Sequence, residues 1–217
     1  MKALTKILVA LLAVVMLAAP VSAAVFTPSV EQKGAPELAT MKDANGNSVA
    51  AVIKDAEGKE IQGVSSKDIK VTPLSELDKA PKAVKEEITE AYKAIGKPKA
   101  LDKVLDTYKE NTKTENNGKL DEKTDKVNAS DLVVRDVINV SLTDSASKKL
   151  MENGSSVTMG FKLGLKPGDF LMVMRFVDGE WVPMEAGKVV IQKDGTVTVE
   201  FDEDIGTIAF VVEKSED

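Results

Sequence analysis

The sequence predicts a small α+β unit followed by an all-β sandwich, and three observations carry that prediction. Two turn-forming clusters, Lys42-Asp43-Ala44-Asn45-Gly46-Asn47 and Lys54-Asp55-Ala56-Glu57-Gly58-Lys59, stand 12 residues apart, each followed by a β-prone run. Two stretches with helical periodicity come next. From Ala129 onward the pattern changes to short strands separated by Gly-bearing turns, seven of them, which reads as two packed sheets.

The chain begins with Lys2 and Lys6, an unbroken apolar run from Ile7 to Ala19, and then Pro20-Val21-Ser22-Ala23-Ala24. A charged start, a short apolar centre and small residues at the end form a Sec-type signal peptide. The run falls short of the roughly 20 apolar residues a membrane span needs. Residues 1–24 are therefore expected to be removed after Ala23 or Ala24, and the mature protein to be secreted. Residues 25–110 are expected to form the α+β unit, 111–128 a linker, and 129–217 the sandwich.

Within the first unit, Pro28 and Pro36 mark an extended leading segment. The runs Val49 to Ile53 and Ile61 to Val64 follow the two turn clusters, and Ile69-Lys70-Val71-Thr72 stops at Pro73, a spacing that suits a short meander. Val84, Ile88, Ala91, Tyr92 and Ile95 then recur on one helical face, with Lys82, Lys85, Glu86, Glu87, Glu90 and Lys93 opposite, and Gly96 and Pro98 end the helix. Leu101, Val104, Leu105 and Tyr108 stripe a second helix. Asn111 to Asn128 offers only Leu120 and Val127 as apolar residues, hence the expected linker.

From Ala129 onward the expected strands are Asp131–Leu142, Ser156–Leu165, Phe170–Val177, Trp181–Glu185, Lys188–Gln192, Thr196–Phe201 and Thr207–Glu213, with a short helix around Ser145–Glu152. Val157, Met159, Phe161, Leu163 and Leu165 alternate with polar or small residues and define one buried face. A two-residue turn at Asp178-Gly179 pairs Phe176 with Trp181 and sets Arg175 opposite Val182. At Asp194-Gly195 the apolar pattern favours a three-residue loop that pairs Ile191 with Val197 and Val189 with Val199.

Asp131-Leu132-Val133-Val134-Arg135-Asp136, Lys166-Pro167-Gly168-Asp169, Asp178-Gly179-Glu180-Trp181, Asp194-Gly195-Thr196-Val197-Thr198-Val199 and Ile208-Ala209-Phe210-Val211-Val212 together resemble the C-terminal immunoglobulin-like module of uncharacterised exported proteins from Gram-positive, often gut-dwelling, bacteria. The resemblance covers roughly the last 85 residues. It implies an Ig-like β-sandwich and brings no catalytic residue with it.

Composition prunes function. The formal charge of −6 becomes more negative once Lys2 and Lys6 leave, which disfavours nucleic acid and anionic membrane surfaces as partners. With no Cys and no His, nucleophile systems built on imidazole or thiol are excluded, as are zinc sites of those ligands. The absence of a second apolar run of spanning length implies no membrane insertion after signal cleavage.

Six features invite a functional reading, each beside a plainer one. Asp43, Asn45 and Asn47 alternate as a Ca²⁺ loop would, yet Ser48 and Lys54 occupy the positions where an EF-hand loop needs Gly and a bidentate acid, so a β-turn is expected. Asp202, Glu203 and Asp204 crowd three carboxylates before Gly206, which a calcium site or a glycosidase pair could use, and a solvated turn is expected. Trp181, the only Trp, would stack on sugars if exposed and is expected in the core against Phe176. Arg135 and Arg175 are the only arginines, both inside apolar strands, where a planar fork suits a carboxylate, with Glu180 nearest to Arg175. Asp136 falls on an inward face, which a bulge would explain. The expected function is an exported, non-enzymatic interaction or structural module with no cofactor or metal, whose partner is a protein or cell-wall polysaccharide. The alternative is a carbohydrate- or peptidoglycan-active enzyme using two carboxylates.

Overall fold

Residues 29–31, 34–117, 119–202 and 205–214 are described by the computed structural model. The expected signal at 1–24, together with Glu203 and Asp204, lies outside the described residues. The strands are β1 (Glu37–Leu38), β2 (Met41–Lys42), β3 (Ser48–Val49), β4 (Ala51–Lys54), β5 (Glu60–Val64), β6 (Ile69–Pro73), β7 (Leu132–Leu142), β8 (Ser156–Lys162), β9 (Leu171–Val177), β10 (Glu180–Pro183), β11 (Val189–Ile191), β12 (Thr196–Phe201) and β13 (Gly206–Glu213). The helices are α1 (Lys82–Ile95), α2 (Ala100–Glu115), α3 (Glu122–Lys126) and α4 (Asp144–Asn153).

N-terminal strands, two main helices and antiparallel sheets thus follow in the expected order. The pairing, however, weaves the first part of the chain into the last. One sheet runs β10-β9-β13-β7-β6 and the other β11-β12-β8-β4-β5, with β1 meeting β8 beyond the end of β4. The expected meander survives only as the β4–β5 hairpin. β4 also pairs with β8, from Ala51 opposite Met159 to Lys54 opposite Ser156, and β6 pairs with β7, from Ile69 opposite Leu142 to Pro73 opposite Ile138. The reason is burial: Ala51, Ile53, Val64 and Ile69 are all at most 7% exposed, and a free-standing meander would leave their apolar face in water.

Two cores lie on the two faces of the first sheet. Between the sheets, Ile53, Ile138, Met159, Phe161, Val199 and Phe210 belong to one cluster. Phe161 and Phe210 meet edge to face with ring centroids 5.1 Å apart. On the outer face, Ile88, Ala91 and Ile95 of α1 and Leu101, Val104, Leu105 and Tyr108 of α2 pack with Val134, Met172, Met174, Ala209 and Val211. The layers are therefore helices, sheet and sheet. Glu87 ties the helical layer down, its carboxylate accepting the backbone N–H of Thr207 at 2.9 Å and the side-chain amide of Asn139 at 3.3 Å.

The segment expected as a linker is largely helical. The buried stripe of α2 continues one turn past Tyr108 to Thr112, whose hydroxyl donates to the Tyr108 carbonyl at 2.8 Å, and the helix ends at Asn116. Asp121 then caps α3 by accepting from the Thr124 N–H at 2.9 Å. Thr112 and Thr124 supply buried positions that a search for apolar residues passes over.

Several registers match expectation. Phe176 stands opposite Trp181 and Arg175 opposite Val182. Ile191 pairs with Val197 and Val189 with Val199 around Lys193-Asp194-Gly195, and Gly195 adopts the left-handed φ of 83° that this loop requires. The β7–β13 register slips so that Phe210 faces Asp136 while Val211 faces Val134, which leaves Arg135 as the extra residue of a bulge. Beside that bulge, Val134 exchanges backbone hydrogen bonds with Ser29 and Glu31 at 3.0 and 2.9 Å, so residues 29–31 line this stretch of β7.

The β2–β3 ribbon folds over the outer face of the second sheet. Two glycines make room for it: a Cβ at Gly160 would lie 3.0 Å from the Ala39 Cβ, and one at Gly63 only 2.5 Å from the Val49 Cγ1. Among the described residues no helix is long and apolar enough to cross a membrane.

Candidate functional site

The side chains singled out from sequence converge only partly, and where they do it is at the rim of the sandwich near the β9–β10 turn. There Arg175, Val177, Val182, Glu185, Lys188, Glu200 and Asp202 line a cleft of about 170 Å³. The β9–β10 turn is tight, with φ of 50° at Asp178 and 83° at Gly179, a pair of positive values that matches the twist of a hairpin. Alternation along β9 sends Phe176 to the helical layer, leaving Arg175 and Val177 on the other face.

The lysines and carboxylates at this cleft answer one another. Lys188 donates to Asp202 and lies 3.2 Å from Glu185, and its ammonium pKa is pushed up, first by the Asp202 hydrogen bond. Lys54 reaches Glu200 at 2.5 Å, and the Ser156 and Thr158 hydroxyls donate to the same carboxylate at 3.3 and 3.1 Å. The Lys54 ammonium holds the Glu200 carboxyl below the usual carboxylate range despite partial burial. Uncovered among these pairs are Val177, 41% exposed, and Val182, 46% exposed.

That lowered pKa makes stability depend on pH with a definite sign. The Glu200 pair contributes fully above the ordinary carboxylate value and loses its contribution as pH falls below that value and through the lower folded one. Glu200→Gln should thus be less stable than the native chain near neutrality, and the gap should shrink from about pH 6 to about pH 3. Urea melts across that range check it; a gap that stays constant with pH would contradict the pairing.

The remaining sequence candidates go elsewhere. Trp181 is 8% exposed, its ring centroid 5.4 Å from that of Phe176 and its indole N–H donated to the Ala91 carbonyl of α1 at 2.9 Å. Arg135 donates to the Leu163 carbonyl, fastening the β8–β9 crossover to the bulge where a carboxylate partner had been expected. Glu180, expected near Arg175, pairs with Lys103 of α2 at 3.2 Å. Asp136 is buried, 4% exposed, within β7.

The Asp43 carboxylate accepts the backbone N–H groups of Asn45 and Asn47 at 3.0 and 2.7 Å and the Asn47 side-chain amide at 2.9 Å. Asp55 repeats the turn, accepting from Glu57 and Lys59 at 3.1 and 2.8 Å. Both loops are thus closed on themselves as Asx-type turns. Among the described residues no three acidic side chains gather as a metal ion would require. Sequence reasoning missed Lys188, Lys54 and Glu200, because they stand in three separate strands and turns that only the pairing β4-β8-β12-β11 brings together.

No protein-family model, curated protein or solved structure matches the chain.

Proposed function

We propose that this chain is an exported, non-enzymatic interaction module, a relative of the Gram-positive exported proteins it resembles, and that it meets a protein partner through the β9–β10 hairpin. The observation that carries this reading is the exposure of Val177 and Val182 beside lysines and carboxylates already paired with one another. Exposed apolar side chains rimmed by polar groups suit a protein contact.

An immunoglobulin-like sandwich is the finer fold reading. It is supported by the hairpins β9–β10 and β11–β12 and by the strand orders β8-β12-β11 and β10-β9-β13, with the chain changing sheets after β8, β10 and β12. On this reading β7 takes the place beside β13 that a last strand fills in that fold. The enzymatic alternative asks for a carboxyl with a raised pKa as general acid, and Glu200 is shifted the other way.

Retention of the mature protein on cell-envelope preparations tests the proposal. Binding should be lost when the envelope is treated with protease, and should weaken at least about tenfold in the double variant Val177→Ser, Val182→Ser, the effect of losing about 1.4 kcal/mol of contact. Binding that survives protease and falls with polysaccharide digestion would move the partner to cell-wall polysaccharide. Release of new reducing ends from peptidoglycan would replace the proposal with the enzymatic reading. N-terminal sequencing of the secreted protein should begin at Ala24 or Val25.

A further inference from the structure

A second cavity, of about 350 Å³, lies at the turn between α1 and α2, on the far side of the β10 strand from the valine surface. Its apolar wall is made by Trp181, Val104 and Pro98, and its rim by Lys97, Lys99 and Lys103. Three ammonium groups within seven residues are a local reversal on a chain whose formal charge is −6. Lys103 is partly answered by Glu180 at 3.2 Å, whereas Lys97 and Lys99 enter no ion pair among the described residues.

Lys99 is also a residue in the wrong place for stability alone. It holds φ 59° and ψ 13°, a left-handed conformation that disfavours any side chain with a Cβ, and it stands at the N-cap of α2 without a side-chain hydrogen bond. At that position Ser, Thr, Asp, Asn or Gly is preferred, and a cation opposes the positive end of the helix. Two local rules are broken at one residue, and the residue overhangs a cavity. Such departures gather where a side chain serves a site.

We propose that this pocket binds a small organic anion with an apolar body. Lys97 and Lys99 meet the anionic head at the rim, and the apolar body lies along Val104, Pro98 and the edge of the Trp181 ring. The volume falls in the range of small-molecule pockets, and one or two directed charges over an apolar wall are how such pockets fix orientation. A neutral compound of the same shape gains the wall and loses the rim.

Trp181 is the only tryptophan, so binding reports on itself. Titrating the full mature protein with anilinonaphthalene sulfonate should quench Trp181 fluorescence saturably at one probe per chain, more weakly as salt rises. Phenylnaphthylamine, the neutral counterpart, should bind at least about tenfold more weakly, and the double variant Lys97→Gln, Lys99→Gln should lose about tenfold in affinity for the sulfonate, as removal of a charge-assisted contact predicts. Lys99→Gly should raise the urea midpoint and still bind more weakly, separating function from fold. Equal binding of the neutral compound, undiminished binding by the double variant, absence of saturable quenching, or a lowered midpoint in Lys99→Gly would each overturn the proposal.

Discussion

Trp181→Ala should cost roughly 3–5 kcal/mol of unfolding free energy, the range for truncating a buried aromatic. The side chain is 8% exposed and stands where three elements meet: β10 carries it, Phe176 of β9 lies against its ring, and Ala91 of α1 takes its N–H at 2.9 Å. Removing it opens a void between the helical layer and the sheet, and removes a hydrogen bond that crosses that boundary. Trp181→Phe should keep most of the apolar contact and lose mainly the bond, about 1 kcal/mol. Urea unfolding followed by circular dichroism separates the two variants. A Trp181→Ala chain within 1 kcal/mol of native, a loss far below that range, would remove Trp181 from the packing between layers.

Phe210→Ala should cost as much on the opposite face of the same sheet, roughly 3–5 kcal/mol. Phe210 is fully buried in β13, which pairs with β7 on one side and β9 on the other. Its ring meets that of Phe161 from the second sheet edge to face at 5.1 Å, a contact worth about 0.5–1.5 kcal/mol beyond burial. Central strands held on both sides relax little around a void, so the upper part of that range is expected. Phe210→Leu, which keeps apolar volume, should recover most of the loss.

Much of the C-terminal fold was legible because alternation survives wherever one face of a strand meets solvent. In β12, Val197, Val199 and Phe201 are buried while Thr196, Thr198 and Glu200 are not; in β8, Val157, Met159 and Phe161 are buried while Thr158 and Lys162 are not, and Gly160 between them lies covered by Ala39 and Met41. The continuous apolar runs Leu132-Val133-Val134, Leu171-Met172-Val173-Met174 and Ile208-Ala209-Phe210-Val211-Val212 carried a further message. They lack alternation because helices cover the face that the second sheet does not, so they mark the sheet against which α1 and α2 pack.

Long-range pairing was what local pattern left out. Nothing near Ala51 or Ile69 says that β4 also joins β8, or that β6 joins β7 instead of completing a meander beside β5, because an antiparallel edge accepts any strand of suitable face. The same blindness applies to the site. Arg175 and Asp202 were conspicuous as residues, but Lys188, Lys54 and Glu200 are ordinary surface types until the pairing gathers them. Glu180 was the nearest carboxylate to Arg175 in register, and Lys103 reaches it from a helix 77 residues earlier in the chain.

The central claim is that the N-terminal half of the chain and the C-terminal half are one cooperative structure. Native-state hydrogen exchange on the Phe210→Ala protein, in low denaturant, tests it directly. Amides of β4 and α1 should lose protection together with those of β8 and β13, by the same free energy, because all four open only with the whole molecule. Protection lost across β8 and β13 while β4 and α1 keep their native exchange rates would contradict the interleaved fold and return the chain to two independent units.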